Sequence, residues 1–563
     1  MRRSMRLRVA MTLSLFVTAT PIAQERMEAP GQETIRQQDL RADLFFLASD
    51  GFRGRLTDTP ENALAASFIE SRFARLGLKP AGPNGSYYQR YNLMKATLGE
   101  GNALDLRRSS SAEIHMRPGQ DYYPQRFSAN ARAQGEVVFA GFGITSPAHQ
   151  YDDYGDAVRG RIVLVLDHEP RERDPKSPFD GVVTTQKAVA IEKALAAQAK
   201  GATGILFVAD VHNHPEEENF ESEWRSYWPS APPIIERYTL ARWSERVRIP
   251  AAQISPTLAA TLVSGTGRTL GDLAKSAETP NGIEPVPLPG VEVKLSSSID
   301  HHLVPDQNVV ALLEGEDPTL KEEAIIVCAH YDHNGADEGG EVLNGADDNG
   351  SGIVALLEIA EAYVEAAKRG QRPRRSILFA AWNSEERGLL GAWAYTEQPL
   401  IPLAQTIAVL NMDMVGRNEE VPVGGGGRFR GLEVQTAQSN ENAVNLVGST
   451  RVPDLAAEVE RVNQDIGLEL KKRYDNNPSN LLRRSDQWPF LQKGVPAIWF
   501  HTGLHPDYHT QYDAPEKINY GKMEKIARLV YQVSWRLANA GTRPSPPTMP
   551  TADDDEARSA RAQ

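Results

Sequence analysis

At 563 residues the chain exceeds what one hydrophobic core usually serves, so two or three domains are expected. Its 40% hydrophobic and 24% charged residues belong to a globular protein, and a formal charge of −13 without any Lys/Arg cluster excludes a nucleic-acid partner, whose phosphates need a basic face. The one cysteine, Cys328, excludes an intrachain disulfide framework and any thiolate zinc site, leaving histidine and carboxylate to hold a metal.

The first segment, MRRSMRLRVAMTLSLFVTATPIAQ, combines four arginines, an apolar run from Val9 to Ala19, and small residues at Ala19 and Ala23. That pattern predicts a cleaved signal peptide over 1–23 and an exported protein, periplasmic or secreted. The run is shorter than the roughly 20 residues a membrane span needs, so no stable membrane insertion is expected after cleavage. Within 24–130, DLRADLFFLASD and PENALAASFIESRFARLGLKP read as amphipathic helices that complete a later domain. An insert over 131–285 follows: GEVVFAGFG, GRIVLVL, GILFVAD and IPAAQIS predict strands, and QKAVAIEKALAAQAKGA a helix.

The segment 286–545 alternates buried strands with helices. EEAIIVCAH, RRSILFAAW, QTIAVLNMDM and GVPAIWF are continuous apolar runs, as expected of strands covered on both faces. Ile353, Leu357, Ala360 and Val364 recur at helical spacing, as do Met523, Ile526, Val530, Val533 and Leu537. The fold class is therefore α/β, a mostly parallel or mixed central sheet flanked by helices, with a smaller β-rich insert. Residues 546–563 lack the apolar content to fold and are expected to form a loose tail.

Chemistry concentrates where the apolar strands end, the edge at which open α/β sheets bind ligands. The first strand ends in His330 and Asp332; residues two apart share a side, so Asp332 can accept the imidazole N–H and fix its tautomer. NGADDNGSG then leads into a helix and offers Asp348. The second strand ends in the adjacent acids Glu385 and Glu386, one suited to bind metal and the other to take a proton from water. The third buries Asp413, which needs a cation. After the fourth lie His501, His505 and His509. Oxygen and nitrogen donors without thiolate suit zinc, with Mn2+ or Co2+ as possible substitutes, and five ligands exceed what one catalytic zinc takes. Two zinc ions sharing a carboxylate are expected.

In the order HxD, GADDNGSG, EERGLLG, NMDMVGR and YHTQYD, these motifs resemble the co-catalytic di-zinc exopeptidase family, which includes secreted bacterial aminopeptidases, aminopeptidase Y and glutamate carboxypeptidase II. The resemblance implies that His330 and Asp413 hold one zinc, Glu386 and His509 the other, and Asp348 bridges them. It makes Glu385 the general base and Asp332 the residue that orients His330. His509 is preferred to His505 because the family pattern His-Thr-x-x-Asp falls on His509, Thr510 and Asp513. The insert resembles a protease-associated domain, which implies a lid over the substrate. Peptides are the expected substrates, and aminopeptidase action the expected activity. A carboxypeptidase acting on acidic dipeptides is the alternative, and a binding protein of the same fold that has lost catalysis is a third reading.

Two departures stand out. Gln487 follows Asp486 where many relatives carry histidine, and Leu482 replaces a tyrosine that often polarises the carbonyl, so Tyr474, Arg483 and Arg484 remain as substrate-binding candidates. Outside these motifs, His212 and His214 beside acids in DVHNHPEEENF offer a second metal site in the insert, against which a polar loop is the preferred reading, and Cys328 reads as an inert buried thiol.

Overall fold

The computed structural model describes residues 29–108, 112–177, 179–215 and 219–548. The expected signal peptide lies outside them, as do residues 549–563 of the expected tail. Among the described residues no helix is long and apolar enough to cross a membrane.

A ten-stranded mixed sheet forms the larger layer. Seven strands define it here: β1 (Tyr88–Leu98), β2 (Ile299–Leu313), β3 (Ala324–His330), β4 (Ser376–Trp382), β5 (Thr406–Met412), β6 (Ala443–Val447) and β7 (Ala497–His501). Their order is β1-β2-β4-β3-β5-β7-β6. Pairing is parallel for β4-β3, β3-β5 and β5-β7, and antiparallel for β1-β2, β2-β4 and β7-β6. Every residue of β3, β4, β5 and β7 is buried, which explains runs without alternation. Helices Gly352–Lys368 and Tyr520–Asn539 cover one face together with Gln37–Leu47 and Pro60–Leu76, so the N-terminal helices do pack on strands β2 to β5, which follow them by over two hundred residues. Residues 541–548 are described, and Ser545 and Thr548 bond to Asp454 and the carbonyl of Arg451.

A second, eight-stranded sheet contains the expected insert strands, seen as Arg132–Phe139, Ile162–Leu166, Gly204–Val208 and Ala251–Ile254. It also takes in Ala103–Arg108 and Val286–Ser296, on either side of the 131–285 segment. The chain enters and leaves this unit along β1 and β2, paired antiparallel from Val309↔Tyr88 to Ile299↔Leu98. One short strand from within the unit, Tyr238–Leu240, returns to pair with β1.

Candidate metal centre

Parallel pairing sets the first constraint on the site. His330 lies opposite Trp382 in the β3-β4 register, and Met412 opposite Phe500 between β5 and β7, so the residues after each strand emerge at one edge. His330 closes β3, Glu385 and Glu386 follow β4, Asp413 follows β5, and His509 lies in the loop after β7. Asp348 sits in the loop before helix Gly352–Lys368.

That loop needs its glycines. Gly345 has φ +55, and a Cβ there would fall 2.2 Å from the Asp348 carbonyl oxygen and 2.6 Å from the His333 ring; at Gly352 it would fall 2.4 Å from the Met412 carbonyl oxygen. The backbone N–H groups of Asp347 and Asp348 donate to Asp513. From the N-terminal segment, the buried Arg55 donates to the carbonyls of Leu47, Tyr331, Asn344 and Gly345, which ties the His330 and Asp348 loops together. Burial lowers its pKa to about 10 against the neighbouring carboxylates, so it stays charged.

Two groups of ligand atoms result, and Asp348 belongs to both. His330, Asp348 and Asp413 form one; His333, Asp348, Glu386 and His509 form the other. His330 Nε2 lies 3.3 Å from Asp348 Oδ1 and 3.5 Å from Asp413 Oδ1. His509 Nε2 lies 2.9 Å from Asp348 Oδ2 and 3.3 Å from Glu386 Oε2. Asp348 thus turns one oxygen toward each imidazole, the disposition expected of a bridge.

Asp332 is placed differently from the simplest sequence expectation. The His330 Nδ1 is 3.2 Å from the Asp332 backbone carbonyl and 3.6 Å from its carboxylate, so the carbonyl is the hydrogen-bond acceptor. The carboxylate instead accepts the backbone N–H groups of Glu385 and Glu386, at 3.0 and 3.2 Å. Asp332 therefore orients the imidazole through its backbone and the two glutamates through its side chain. Glu385 Oε2 stands 3.9 Å from His330 Nε2, and burial, together with the carboxylates of Asp413 and Glu386, pushes its pKa well up against the pull of His330.

The donors fit divalent metal. Asp348, Glu385, Glu386 and Asp413 converge in the interior, and no lysine or arginine among the described residues pairs with any of them, a costly arrangement without a cation. The Nε2 atom of the buried His330, which faces Asp348 and Asp413, has no hydrogen-bond partner. A lone pair aimed at a carboxylate cluster suits an imidazole ligand.

His333 was not assigned from sequence. Its Nδ1 is 2.8 Å from Glu386 Oε1 and 3.8 Å from Asp348 Oδ2. The available signal was its spacing, one residue beyond His-x-Asp in HYDH. His501 and His505 lie behind the ligands: His501 Nδ1 is 3.1 Å from the Asp413 carbonyl, and His505 Nε2 is 3.4 Å from Asp347 Oδ2. Burial pushes the Cys328 thiol up, which leaves it unreactive on β3.

Beside the ligands opens a cleft of about 230 Å³ whose walls include Arg483, Arg484 and Tyr508. Arg483 donates to the Thr184 carbonyl of the insert, and Arg484 to the Tyr508 hydroxyl at 3.3 Å. Tyr508 stacks on His509 with ring centres 3.8 Å apart. Tyr474 is bonded to Glu419, and it is absent from the residues that line this cleft. Tyr508 was missed because its neighbour His509 absorbed the motif.

Residues 308–534 match the sequence model of peptidase family M28. The chain is 25% identical over 404 residues to a probable glutamate carboxypeptidase, AMP1, of Arabidopsis thaliana, covering 69% of this chain and 51% of that protein. It is 36% identical over 137 residues to the aminopeptidase NAALADL1 of Mus musculus, covering 24% of this chain and 17% of that one. The chain thus spans about half the length of the first of these relatives and less of the second. Among solved structures, the aminopeptidase of Aneurinibacillus sp. strain AM-1 superposes with a TM-score of 0.45 at 17% identity, covering 93% of this chain and 98% of that one. Residues 308–534, which contain every proposed ligand, are thus a segment of the peptidase family M28 type.

Proposed function

We propose that the chain is an exported exopeptidase holding two zinc ions, and that it removes N-terminal residues from peptides. The observation that carries this reading is the position of Asp348, one oxygen toward each of two ligand groups. His330 and Asp413 would hold one ion, and Glu386 and His509 the other with His333 beside them. Zinc there supplies Lewis acidity, polarising the scissile carbonyl and making water acidic enough to attack at neutral pH. Glu385 takes the proton from the attacking water and returns it to the leaving amine; its raised pKa suits a group that must hold that proton between the two events. The Tyr508 hydroxyl, at the cleft wall, donates to the oxygen on which charge develops. A cleft of about 230 Å³ admits the end of a peptide and supports action at a terminus.

A second reading has a specific observation in its favour. Arg483 and Arg484 on the cleft wall could clamp a terminal carboxylate, as a carboxypeptidase requires, and the AMP1 relative is named a probable glutamate carboxypeptidase. The inserted unit, read as a protease-associated lid, approaches the cleft at the Arg483–Thr184 bond.

Digestion of a peptide library, followed by mass spectrometry with and without chelator, tests the proposal. Loss of single N-terminal residues that stops on chelation is the expected result; shortening from the C-terminus would replace the first reading with the second, and chelator-insensitive cleavage would overturn both. Leu-p-nitroanilide against an N-acylated acidic dipeptide gives the same discrimination in one assay. N-terminal sequencing of the exported chain tests cleavage after residue 23.

A further inference from the structure

We propose that the inserted unit holds a divalent transition-metal ion of its own, bound by His168, Glu172 and His214, in addition to those of the peptidase centre. The three side chains come from two loops. Strands Ile162–Leu166 and Gly204–Val208 pair in parallel with Leu166 opposite Val208, so the chain leaves both at the same edge of the second sheet. His168 and Glu172 lie in the loop after the first, and His214 in the loop after the second. Sequence alone leaves His214 in a polar loop because its partners belong to the preceding strand end.

The donor atoms converge. His168 Nδ1 is 2.8 Å from Glu172 Oε2, and His214 Nε2 contacts the other oxygen, Oε1. The ring centres are 4.2 Å apart with planes inclined by 32°, and the Glu172 side chain is only 9% exposed between them. All three ligand atoms fall within 4.8 Å of one another. Tetrahedral zinc with bonds near 2.1 Å separates its ligands by roughly 3.4 Å, so side-chain rotation alone admits the ion. A dication satisfies both ring nitrogens and the carboxylate together.

The surroundings hold the ligands in place. Buried Lys193 donates to the carbonyls of Leu166 and His168, and Asn213 donates to Asp210 at 2.7 Å, fixing the turn before His214. His168 and His214 also line a cleft of about 400 Å³ together with Asp167, Phe220 and Glu223. Two imidazoles and a carboxylate select zinc, nickel, cobalt or copper over calcium or magnesium, and leave a fourth position facing that cleft.

The test counts ions on the full chain, stripped with chelator, reloaded with Zn2+ and freed of excess. Wild type should hold one zinc per chain more than either His168→Ala/His214→Ala or Glu172→Gln, with Leu-p-nitroanilide turnover within about twofold. Equal zinc counts for wild type and Glu172→Gln overturn the proposal, and this isosteric change decides the matter even if the double variant does not fold. Because the readout is a difference, it stands whatever the peptidase centre holds. Failure of the proposed function would empty that centre and leave the difference intact. Loading with Co2+ gives a second signal: the visible absorption of wild type should exceed that of Glu172→Gln, and identical spectra would also overturn the site.

Discussion

The two sheets place histidine and acid in the same way and treat them in opposite ways. In both, neighbouring parallel strands end side by side and hand their following residues to one edge. At the edge of β3, β4 and β5 the acids are buried, outnumber the imidazoles and share Asp348. At the edge of the insert one carboxylate lies between two partly exposed rings. Parallel pairing therefore gathers ligands, while burial and the carboxylate surplus decide whether the cluster can dispense with an ion. The larger centre cannot.

The largest expected effect separates metal from chemistry, since the larger centre carries in Glu385 an acid beyond its ligands. Glu385→Ala should lower kcat by about 10²–10⁴-fold while zinc content is unchanged. Normal turnover in that variant would remove the base. Next comes His333→Ala, for which zinc affinity, read by competition with a chromophoric chelator, should fall about 10–100-fold. An unchanged affinity would reduce His333 to packing.

The smallest effect uses a buried acid outside both ligand clusters. Glu358 in helix Gly352–Lys368 is 1% exposed, and burial, with Glu361, Asp39 and Asp43 nearby, raises its pKa to about 8. The folded chain therefore keeps a proton that the unfolded chain loses near 4.5. Its contribution to stability is complete below that pH and is lost as pH rises through 8. Glu358→Gln, which does not titrate, should exceed wild type by about 1–3 kcal/mol at pH 8.5 and by little at pH 4.5. Equal differences in unfolding free energy at the two values would show that the carboxyl is solvated.

Sequence revealed most of the larger centre because each ligand stands where an apolar run stops. His330, Glu385, Glu386 and Asp413 are each within four residues of a strand end. It revealed less of His333 and Tyr508, whose roles depend on side-chain approach across loops. The division of labour in Asp332, backbone to the imidazole and carboxylate to the glutamates, needed coordinates as well. The arms β1 and β2 were hidden for another reason: each runs from the buried main sheet into more exposed surroundings, and burial changes along their length. Period-based reading has no constant pattern to find there.

Arg55 has a consequence for the order of assembly. Its carbonyl partners at Tyr331, Asn344 and Gly345 are separated from it by 276, 289 and 290 residues. A ribosome must complete the entire inserted unit before this guanidinium meets them, and closure over such a distance is slow. The metal loops should therefore be the last part of the protein to acquire protection from hydrogen exchange during refolding, after both sheets. In an Arg55→Leu chain they should remain open while the sheets close on schedule.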